Sequence, residues 1–325
     1  MIFDKTQIKR ILLITLTNIG DIILTTPVVR TLKKEFPDSR LDVIVGPKGR
    51  EIFQFDPAVF KLIIYDKHMP ISEKRRLQIK LKKLKYDLVV DLRNTVFPLL
   101  IAPKFRTSTI QRFPKGPLHS KSKHLHRLRS LGIEIVDDSS RIHIPASDDA
   151  YVAALLDANK ISGTIVTVNP GAMSGIKRWR QEGFTEVADR LSSECGASVI
   201  FIGAENDRAT VSAVTLRMKN RFYDFTGKTN IRQLAALLKR SKLLLTNDSA
   251  PLHLGCAVGA KVLAIFGPTD PKKYGPTGEL DYVISYKLHC APCESATCIY
   301  GHECMKMISP DEVFNAAKMM LEGYE

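Results

Sequence analysis

The sequence predicts an α/β protein with two Rossmann-like domains, each built on a parallel sheet. Unbroken apolar runs alternate with helical patterns along the 325-residue chain. Such runs are typical of strands covered on both faces, as in parallel sheets. The alternation starts again after Lys160, and a chain of this length exceeds what one hydrophobic core usually organises. Two domains are therefore expected, at residues 1–158 and 159–325.

The strands and helices of the first domain follow from its apolar spacing. Strands are predicted at residues 10–16, 41–46, 61–66 and 86–92. One helix follows Pro27, and another carries Leu77, Leu81 and Leu84 on one face with basic residues opposite. Residues 97–123 are rich in Pro, Lys and Ser and lack periodicity, so a long loop is expected there.

The second domain repeats the same alternation. Strands are predicted at residues 163–168, 197–203, 242–247 and 261–267, with helices at 231–239 and 250–258 among those between them. Ligands of parallel sheets bind at the carboxyl ends of the strands. Two facing sheets therefore predict a site in the cleft between the domains.

The positive charge is concentrated in one part of the chain. The formal charge is +14, and residues 67–129 hold 17 Lys and Arg against three acids. Such a field attracts a nucleic acid, an anionic membrane surface or a phosphorylated substrate, although a solubilising basic face would also account for the charge. No motif combining aromatic and basic residues supports nucleic-acid binding. No apolar run is long enough for a membrane span or a secretory signal, so a cytoplasmic location is expected.

Two glycine-containing loops are candidates for chemistry. Residues 17–21, TNIGD, follow the first strand, so Gly20 allows close approach of a ligand and Asp21 stands at the edge of the sheet. A helix cap is the alternative role for Asp21. Residues 169–180, NPGAMSGIKRWR, offer Lys177 to neutralise a departing diphosphate, or form a surface loop anchored by Trp179. The fingerprints of P-loop and dinucleotide-binding proteins are lacking, which argues against an NAD-dependent oxidoreductase.

Two further turns offer donor contacts. In residues 246–271, Asp248 and Ser249 occupy a strand-to-helix turn that suits anions and sugar hydroxyls, and His253 lies one helical turn later. Capping residues and a core histidine are the alternatives. Glu205 follows a strand, where a Rossmann domain holds ribose hydroxyls, or is a simple turn residue.

Four of the six cysteines form one cluster in the sequence. Cys290, Cys293, Cys298 and Cys304 have the spacing C-x2-C-x4-C-x5-C. This spacing fits a closed zinc site but departs from the regular pair of C-x2-C motifs. Reduced thiols in a loop are favoured over a metal.

Together these segments resemble glycosyltransferase family 9, the ADP-heptose:lipopolysaccharide heptosyltransferases. The similarity covers nearly the whole chain and includes the TNIGD loop, the loop with Lys177 and Trp179, residues 246–271 ending in FGPTDP, and the cysteine-bearing tail. Two positions depart from the family's pattern. Ala250 stands where glycine usually follows the NDS triplet, and Arg180 stands where proline commonly follows the tryptophan.

The resemblance implies a GT-B fold, with an acceptor-binding first domain and a second domain that binds the nucleotide sugar. It implies inverting transfer that needs no metal or cofactor. Asp21 would be the general base and Lys177 would stabilise the leaving ADP.

Donor contacts would come from Glu205, Asp248, Ser249 and His253, with Gly20 beside the donor. The implied partners are an ADP-sugar and a lipid-linked anionic glycan at the inner membrane leaflet, whose contact residues the sequence does not identify. A relative with another nucleotide sugar, a sugar-nucleotide epimerase of the same fold and a non-catalytic nucleic-acid-binding protein are the alternatives.

Overall fold

A computed structural model describes residues 5–15, 17–108 and 113–323 of the chain. The chain divides into two compact units, Met1–His143 and Ile144–Glu325. Each unit contains one sheet in which every pair of neighbouring strands is parallel. The predicted α/β class with two parallel sheets is therefore confirmed. No helix in the described part of the chain combines the length and apolarity needed to cross a membrane.

The first unit is a five-stranded sheet with helices between its strands. Its strands are β1 (Arg10–Ile14), β2 (Arg40–Val45), β3 (Lys61–Ile64), β4 (Leu88–Asp91) and β5 (Phe105–Arg106), in the order β3-β2-β1-β4-β5. Its helices are α1 (Ile19–Ile23), α2 (Thr26–Glu35), α3 (Arg50–Phe53), α4 (Ile71–Lys83), α5 (Phe97–Ile101) and α6 (Ser120–Arg129). The central strand β1 is almost fully buried from Ile11 to Ile14, which explains its unbroken apolar run.

Helices α4 and α5 cover one face of this sheet together. Leu81 of α4 and Phe97 and Ile101 of α5 share a buried cluster with Leu12 and Ile14 of β1. The predicted stripe at Leu77, Leu81 and Leu84 contributes to this cluster, with Leu81 buried and the other two partly buried. The basic residues of α4 therefore lie away from the core.

The second unit has a six-stranded sheet. Its strands are β6 (Ile165–Asn169), β7 (Ser198–Phe201), β8 (Phe222–Asp224), β9 (Leu243–Asn247), β10 (Val262–Phe266) and β11 (Tyr282–Ser285), in the order β11-β10-β9-β6-β7-β8. Its helices are α7 (Ala146–Ala158), α8 (Gln181–Ser193), α9 (Arg208–Thr215), α10 (Ile231–Arg240), α11 (Ala250–Val258), α12 (Pro271–Tyr274), α13 (Glu303–Lys306) and α14 (Pro310–Glu322). Trp179 is 2% exposed and packs edge-to-face on Phe184 of α8, which ties the preceding loop to the core.

The edge strands β5, β8 and β11 were not predicted from the sequence, whereas the edge strand β3 was. The helices and the strand within residues 97–123, which the sequence predicted as a loop, were also missed. Residues 97–123 contain α5, β5 and the start of α6, whereas residues 109–112 lie outside the described part, as does Leu16 at the end of the first predicted strand. Strands β5, β8 and β11 have two to four residues and partly exposed side chains. An edge strand is covered less completely, so it needs no apolar run.

The units separate earlier than the sequence suggested. The division falls between His143 and Ile144, whereas the sequence placed the domain boundary between residues 158 and 159. Helix α7 belongs to the second unit because it packs against α10. A buried ion pair supports that packing, with Arg232 Nε donating to Asp148 Oδ2 at 2.6 Å. The binding roles expected of the two domains remain predictions.

The stability of the first unit is expected to fall in mild acid because of His124 in α6. Burial, together with the charges of Arg127 and Lys123, lowers the pKa of His124 to about 4. The unfolded chain takes up this proton near the ordinary pKa of about 6.5, so protonation favours unfolding as the pH falls from about 6.5 to 4. Relative to His124→Gln, the wild type should lose about 2 kcal/mol between pH 7 and pH 4.5.

Urea unfolding at both pH values measures this loss. The exposed His68 supplies the control, because His68→Gln should follow the wild-type pH curve. Parallel curves for wild type and His124→Gln would contradict the assignment.

Candidate active site

Two buried asparagines shape the carboxyl edge of the second sheet. Asn169 and Asn247 are the last residues of the neighbouring strands β6 and β9. Asn247 Oδ1 accepts the Trp179 backbone N–H at 3.0 Å, and its Nδ2 donates to the Pro170 carbonyl at 2.9 Å. The loop between β6 and α8 is therefore pinned to the end of β9. Sequence reasoning did not assign either side chain, although a polar residue that ends a buried strand is a usable signal.

Asn169 also fixes the start of α11. Its Nδ2 donates to Thr246 Oγ1 at 3.0 Å and to Ser249 Oγ at 2.9 Å. Ser249 occupies the N-cap position of α11, but its hydroxyl makes no capping bond. Capping is therefore not the role of this hydroxyl, which instead joins the end of β6 to the first turn of α11.

Lys177 and Asp248 form an ion pair at this edge. Lys177 Nζ donates to Asp248 Oδ2 at 2.7 Å. The Asp248 side chain is only 6% exposed, and the same oxygen accepts the Thr269 hydroxyl at 2.7 Å. The Lys177 side chain is 30% exposed, so it is partly open to solvent. A buried carboxylate held by two donors fixes the position of this cation.

His253 lies near this ion pair in the chain. It belongs to the opening turns of α11 and is buried, with 8% of its surface exposed. Asp248 and Ser249 thus follow β9 directly and His253 lies in the first turn of α11, where its burial also fits the alternative of a core histidine.

Glu205 lies in the loop after β7, the strand on the other side of β6 from β9. It begins the 3-10 turn Glu205–Asp207, and its carboxylate is paired with Arg208 through two bonds of 2.7 and 2.6 Å. This pairing lowers the pKa of Glu205. Gly227, whose φ of +72° suits glycine, leaves room for the carboxylate, since a Cβ there would lie 2.2 Å from Glu205 Oε2. Glu205 is 68% exposed and available to a ligand.

The cysteine-bearing tail supports the loop that carries Thr269. The backbone N–H groups of Cys293 and Glu294 both donate to the Pro268 carbonyl, at 2.9 and 2.8 Å. Cys304 is buried, and its burial, followed by the nearby thiols of Cys298, Cys290 and Cys293, raises its pKa. All six cysteines are free. Across residues 5–15, 17–108 and 113–323, no group of His, Cys, Asp or Glu side chains is arranged to hold a metal ion.

Asp21 lies in the first unit, at the carboxyl end of β1. It is the third residue of α1, the N-cap is Asn18, and Asn18 Nδ2 donates to Asp21 Oδ2 at 3.1 Å. The alternative role of Asp21 as the cap residue is therefore wrong. Gly20 is the second residue of the same helix, and its carbonyl accepts the Leu24 N–H.

The neighbouring strand end carries a buried polar cluster that sequence reasoning missed. Asp91 ends β4, beside β1, and its carboxylate accepts the backbone N–H groups of Arg93 and Thr95 at 2.8 and 2.6 Å. Arg127 is 6% exposed and donates to the Asp91 carbonyl and to Asn94 Oδ1. Burial lowers the pKa of Arg127, and the charge of Asp91 opposes this effect. A single cation in a stretch with no predicted helix or strand gave no sign of this arrangement.

Comparisons with known proteins identify the family. The model of glycosyltransferase family 9 (heptosyltransferase) matches residues 120–303, more than half of the chain. The chain belongs to glycosyltransferase family 9. It is therefore a glycosyltransferase, and the family predicted from the sequence is confirmed. The matched residues include Lys177, Glu205 and Asp248 but not Asp21.

Individual relatives agree with this family 9 assignment. Lipooligosaccharide heptosyltransferase 2 of Campylobacter jejuni is 27% identical over 94% of the chain and 97% of its own length. Among solved structures, a family 9 glycosyltransferase of Veillonella parvula has a TM-score of 0.84, with 24% identity and 97% coverage of both chains. The ADP-heptose lps heptosyltransferase II of E. coli has a TM-score of 0.77, with 21% identity, 96% coverage of this chain and 98% of its own. The fold of the family 9 chain is that of these GT-B enzymes.

The packing of the loop between β6 and α8 against Asp207 can be tested at Gly171. A Cβ at this position would lie 2.6 Å from Asp207 Oδ1, whose carboxylate also accepts the Ala204 N–H at 3.0 Å. Gly171→Ala should therefore lower the unfolding free energy by roughly 1–3 kcal/mol and raise KM for the sugar donor more than it lowers kcat.

Gly175 supplies a matched control in the same loop. A Cβ at Gly175 would meet no atom within 4 Å, so Gly175→Ala should keep wild-type stability and donor KM. Urea unfolding and donor saturation curves measure both quantities. Equal behaviour of the two variants would contradict the proposed packing.

Proposed function

We propose that this enzyme transfers heptose from ADP-heptose to the inner core of bacterial lipopolysaccharide, with inversion at the anomeric carbon. The observation that carries the proposal is the Lys177–Asp248 ion pair at the start of α11. It fixes a cation on a partly exposed side chain at the strand ends, where a nucleoside diphosphate would lie. The similarity to proteins named lipooligosaccharide and lipopolysaccharide heptosyltransferases supports the choice of sugar and acceptor.

The proposed reaction is a single displacement. An acceptor hydroxyl oxygen attacks the anomeric carbon as its proton passes to the Asp21 carboxylate. The bond from the anomeric carbon to the phosphate oxygen breaks, and ADP leaves with the bonding electrons. Attack opposite the leaving group inverts the anomeric configuration. Asp21 and Lys177 belong to different units, so their convergence on one anomeric carbon is part of the proposal.

Lys177 has the chemistry required at the leaving group. Negative charge grows on the diphosphate as the glycosidic bond breaks, and a fixed cation is worth most at that point. Asp248, held by Thr269, keeps the Lys177 ammonium in place before the donor arrives. The diphosphate would then share this ammonium with Asp248, and Ser249 and His253 would contact the sugar or the phosphates from the start of α11.

Glu205 is proposed to hold the ribose of the donor. Its exposed carboxylate lies after β7, two strands from β9 in the sheet, and can accept hydrogen bonds from two hydroxyls. Arg208 already bonds this carboxylate, so ribose hydroxyls would add to that pair rather than replace a buried contact. The bidentate partner keeps Glu205 ionised and oriented.

The acceptor is proposed to be the lipid-linked, phosphorylated core at the cytoplasmic face of the inner membrane. The concentration of Lys and Arg at residues 67–129 of the first unit suits the anionic leaflet in which this acceptor is anchored. The enzyme would therefore be a cytoplasmic protein that binds the membrane peripherally.

A donor panel tests this proposal. ADP-heptose, ADP-glucose, UDP-N-acetylglucosamine and GDP-mannose are each incubated with the enzyme, with and without lipopolysaccharides truncated at successive positions of the inner core. Nucleotide release is expected from ADP-heptose alone and only with acceptor. Release from another donor would indicate a relative with a different substrate. Consumption of a nucleotide sugar without acceptor would indicate an epimerase and overturn the proposal.

A further inference from the structure

The outward face of α4 and α5 combines strong positive charge with exposed aliphatic side chains. Helix α4 carries six Lys and Arg against one Glu, a net charge of +5. Ile79 is 56% exposed, although it lies between Leu77 and Leu81, which face the core. Successive helical residues are about 100° apart, so Ile79 projects from the face opposite the core.

Cations surround this isoleucine. Arg75, Lys82 and Lys83 lie four residues before and three and four residues after Ile79, so they share its side of the helix. All three are exposed, and none has an acidic partner among the residues that the structure describes. Like charges at such spacing repel one another and destabilise a helix. A bound anionic surface would relieve this repulsion.

Helix α5 extends the apolar centre of this face. It packs beside α4 on the same buried cluster, and Val96 and Leu99 are 63% and 52% exposed. Basic side chains around a few projecting aliphatic residues are the pattern of interfacial membrane contacts. A nucleic acid would match the cations but would leave Ile79, Val96 and Leu99 in water.

We propose that this α4–α5 face docks the first unit on an anionic lipid bilayer. Lys and Arg would contact headgroup phosphates, while Ile79, Val96 and Leu99 enter the headgroup boundary. Helix α5 follows the carboxyl end of β4, the strand beside β1, so docking would bring the sheet edge that carries Asp21 towards a lipid-linked acceptor. The proposal deepens the proposed function by naming the surface that meets the membrane.

Vesicle binding tests the docking face without any transfer reaction. The enzyme is mixed with phosphatidylcholine vesicles, with and without phosphatidylglycerol, at low and high salt. Salt-sensitive binding to the anionic vesicles is expected. Each cation near such a surface contributes about 1 kcal/mol, or about fivefold, so Arg75→Gln/Lys82→Gln/Lys83→Gln should bind about a hundredfold more weakly.

The controls separate a docking face from general positive charge. The exposed second-unit triple variant Lys219→Gln/Lys242→Gln/Lys287→Gln removes the same charge and should bind like wild type. The Ile79→Ser/Leu99→Ser variant should bind vesicles more weakly, with the same salt dependence as the wild type. Equal loss in both triple variants would overturn the proposal, as would binding to duplex DNA without vesicle binding.

Transfer assays distinguish failure of this proposal from failure of the proposed function. The α4 triple variant should retain wild-type turnover on a delipidated, water-soluble acceptor and lose it on vesicle-embedded acceptor. Vesicle binding without any heptosyl transfer would leave the docking face standing and refute the function. Transfer to embedded acceptor at the wild-type rate by the α4 variant would refute the docking face alone.

Discussion

Asp21→Asn is expected to lower kcat by about 10²–10⁴ while donor affinity stays near the wild-type value. Asparagine is close in size to aspartate and can still accept the Asn18 amide, so the start of α1 should be preserved. The amide cannot take the proton from the acceptor hydroxyl. Single-turnover kinetics and donor titration measure the two quantities separately.

Asp38→Asn is the matched control for this effect. Asp38 is an exposed carboxylate in the same unit, in the turn between α2 and β2. The Asp38→Asn variant should keep the wild-type kcat. A wild-type kcat for Asp21→Asn would remove the general base from the mechanism.

Lys177→Met is expected to lower kcat by about 10²–10³, because the leaving diphosphate loses its fixed cation. The same change leaves the Asp248 carboxylate without its ammonium partner. Breaking a buried pair is costly, but the pair is partly exposed on the lysine side, so a stability loss of roughly 1–3 kcal/mol is expected. Steady-state kinetics and urea unfolding measure the two effects.

A second substitution separates the catalytic effect from the structural one. Asp248→Asn can still accept the Thr269 hydroxyl, so Lys177→Met/Asp248→Asn should recover much of the lost stability. It should not recover turnover. Lys242→Met, an exposed change before β9, should alter neither quantity. Recovery of both in the double variant would show that Lys177 acts only by stabilising the fold.

The central strands could be predicted because burial on both faces leaves a clear trace in the sequence. Strands β1, β9 and β10 are almost fully buried and are unbroken or nearly unbroken apolar runs. The edge strands β5, β8 and β11 are shorter and partly exposed, so their residues show no such run. Helix α11 matched its predicted limits because Pro251 and Gly259 mark its ends.

The site was predictable as a set of strand ends but not as a set of contacts. Lys177 and Asp248 meet because β6 and β9 are neighbours, although two strands lie between them in the chain. Apolar runs do not specify strand order, so the ion pair and the Asn169 bonds to Thr246 and Ser249 could not be derived. The buried Arg127 escaped prediction because its partners are a backbone carbonyl and Asn94 rather than a nearby acid.

The mass of the acceptor after reaction tests the central claim most directly. Purified enzyme is incubated with ADP-heptose and lipopolysaccharides truncated at successive positions of the inner core. The glycan mass is measured by mass spectrometry, the anomeric configuration by NMR, and the released ADP is quantified. Transfer predicts a gain of one heptose residue for each ADP released, with the opposite anomeric configuration to the donor. An unchanged glycan mass, or a product that retains the donor configuration, would contradict the account.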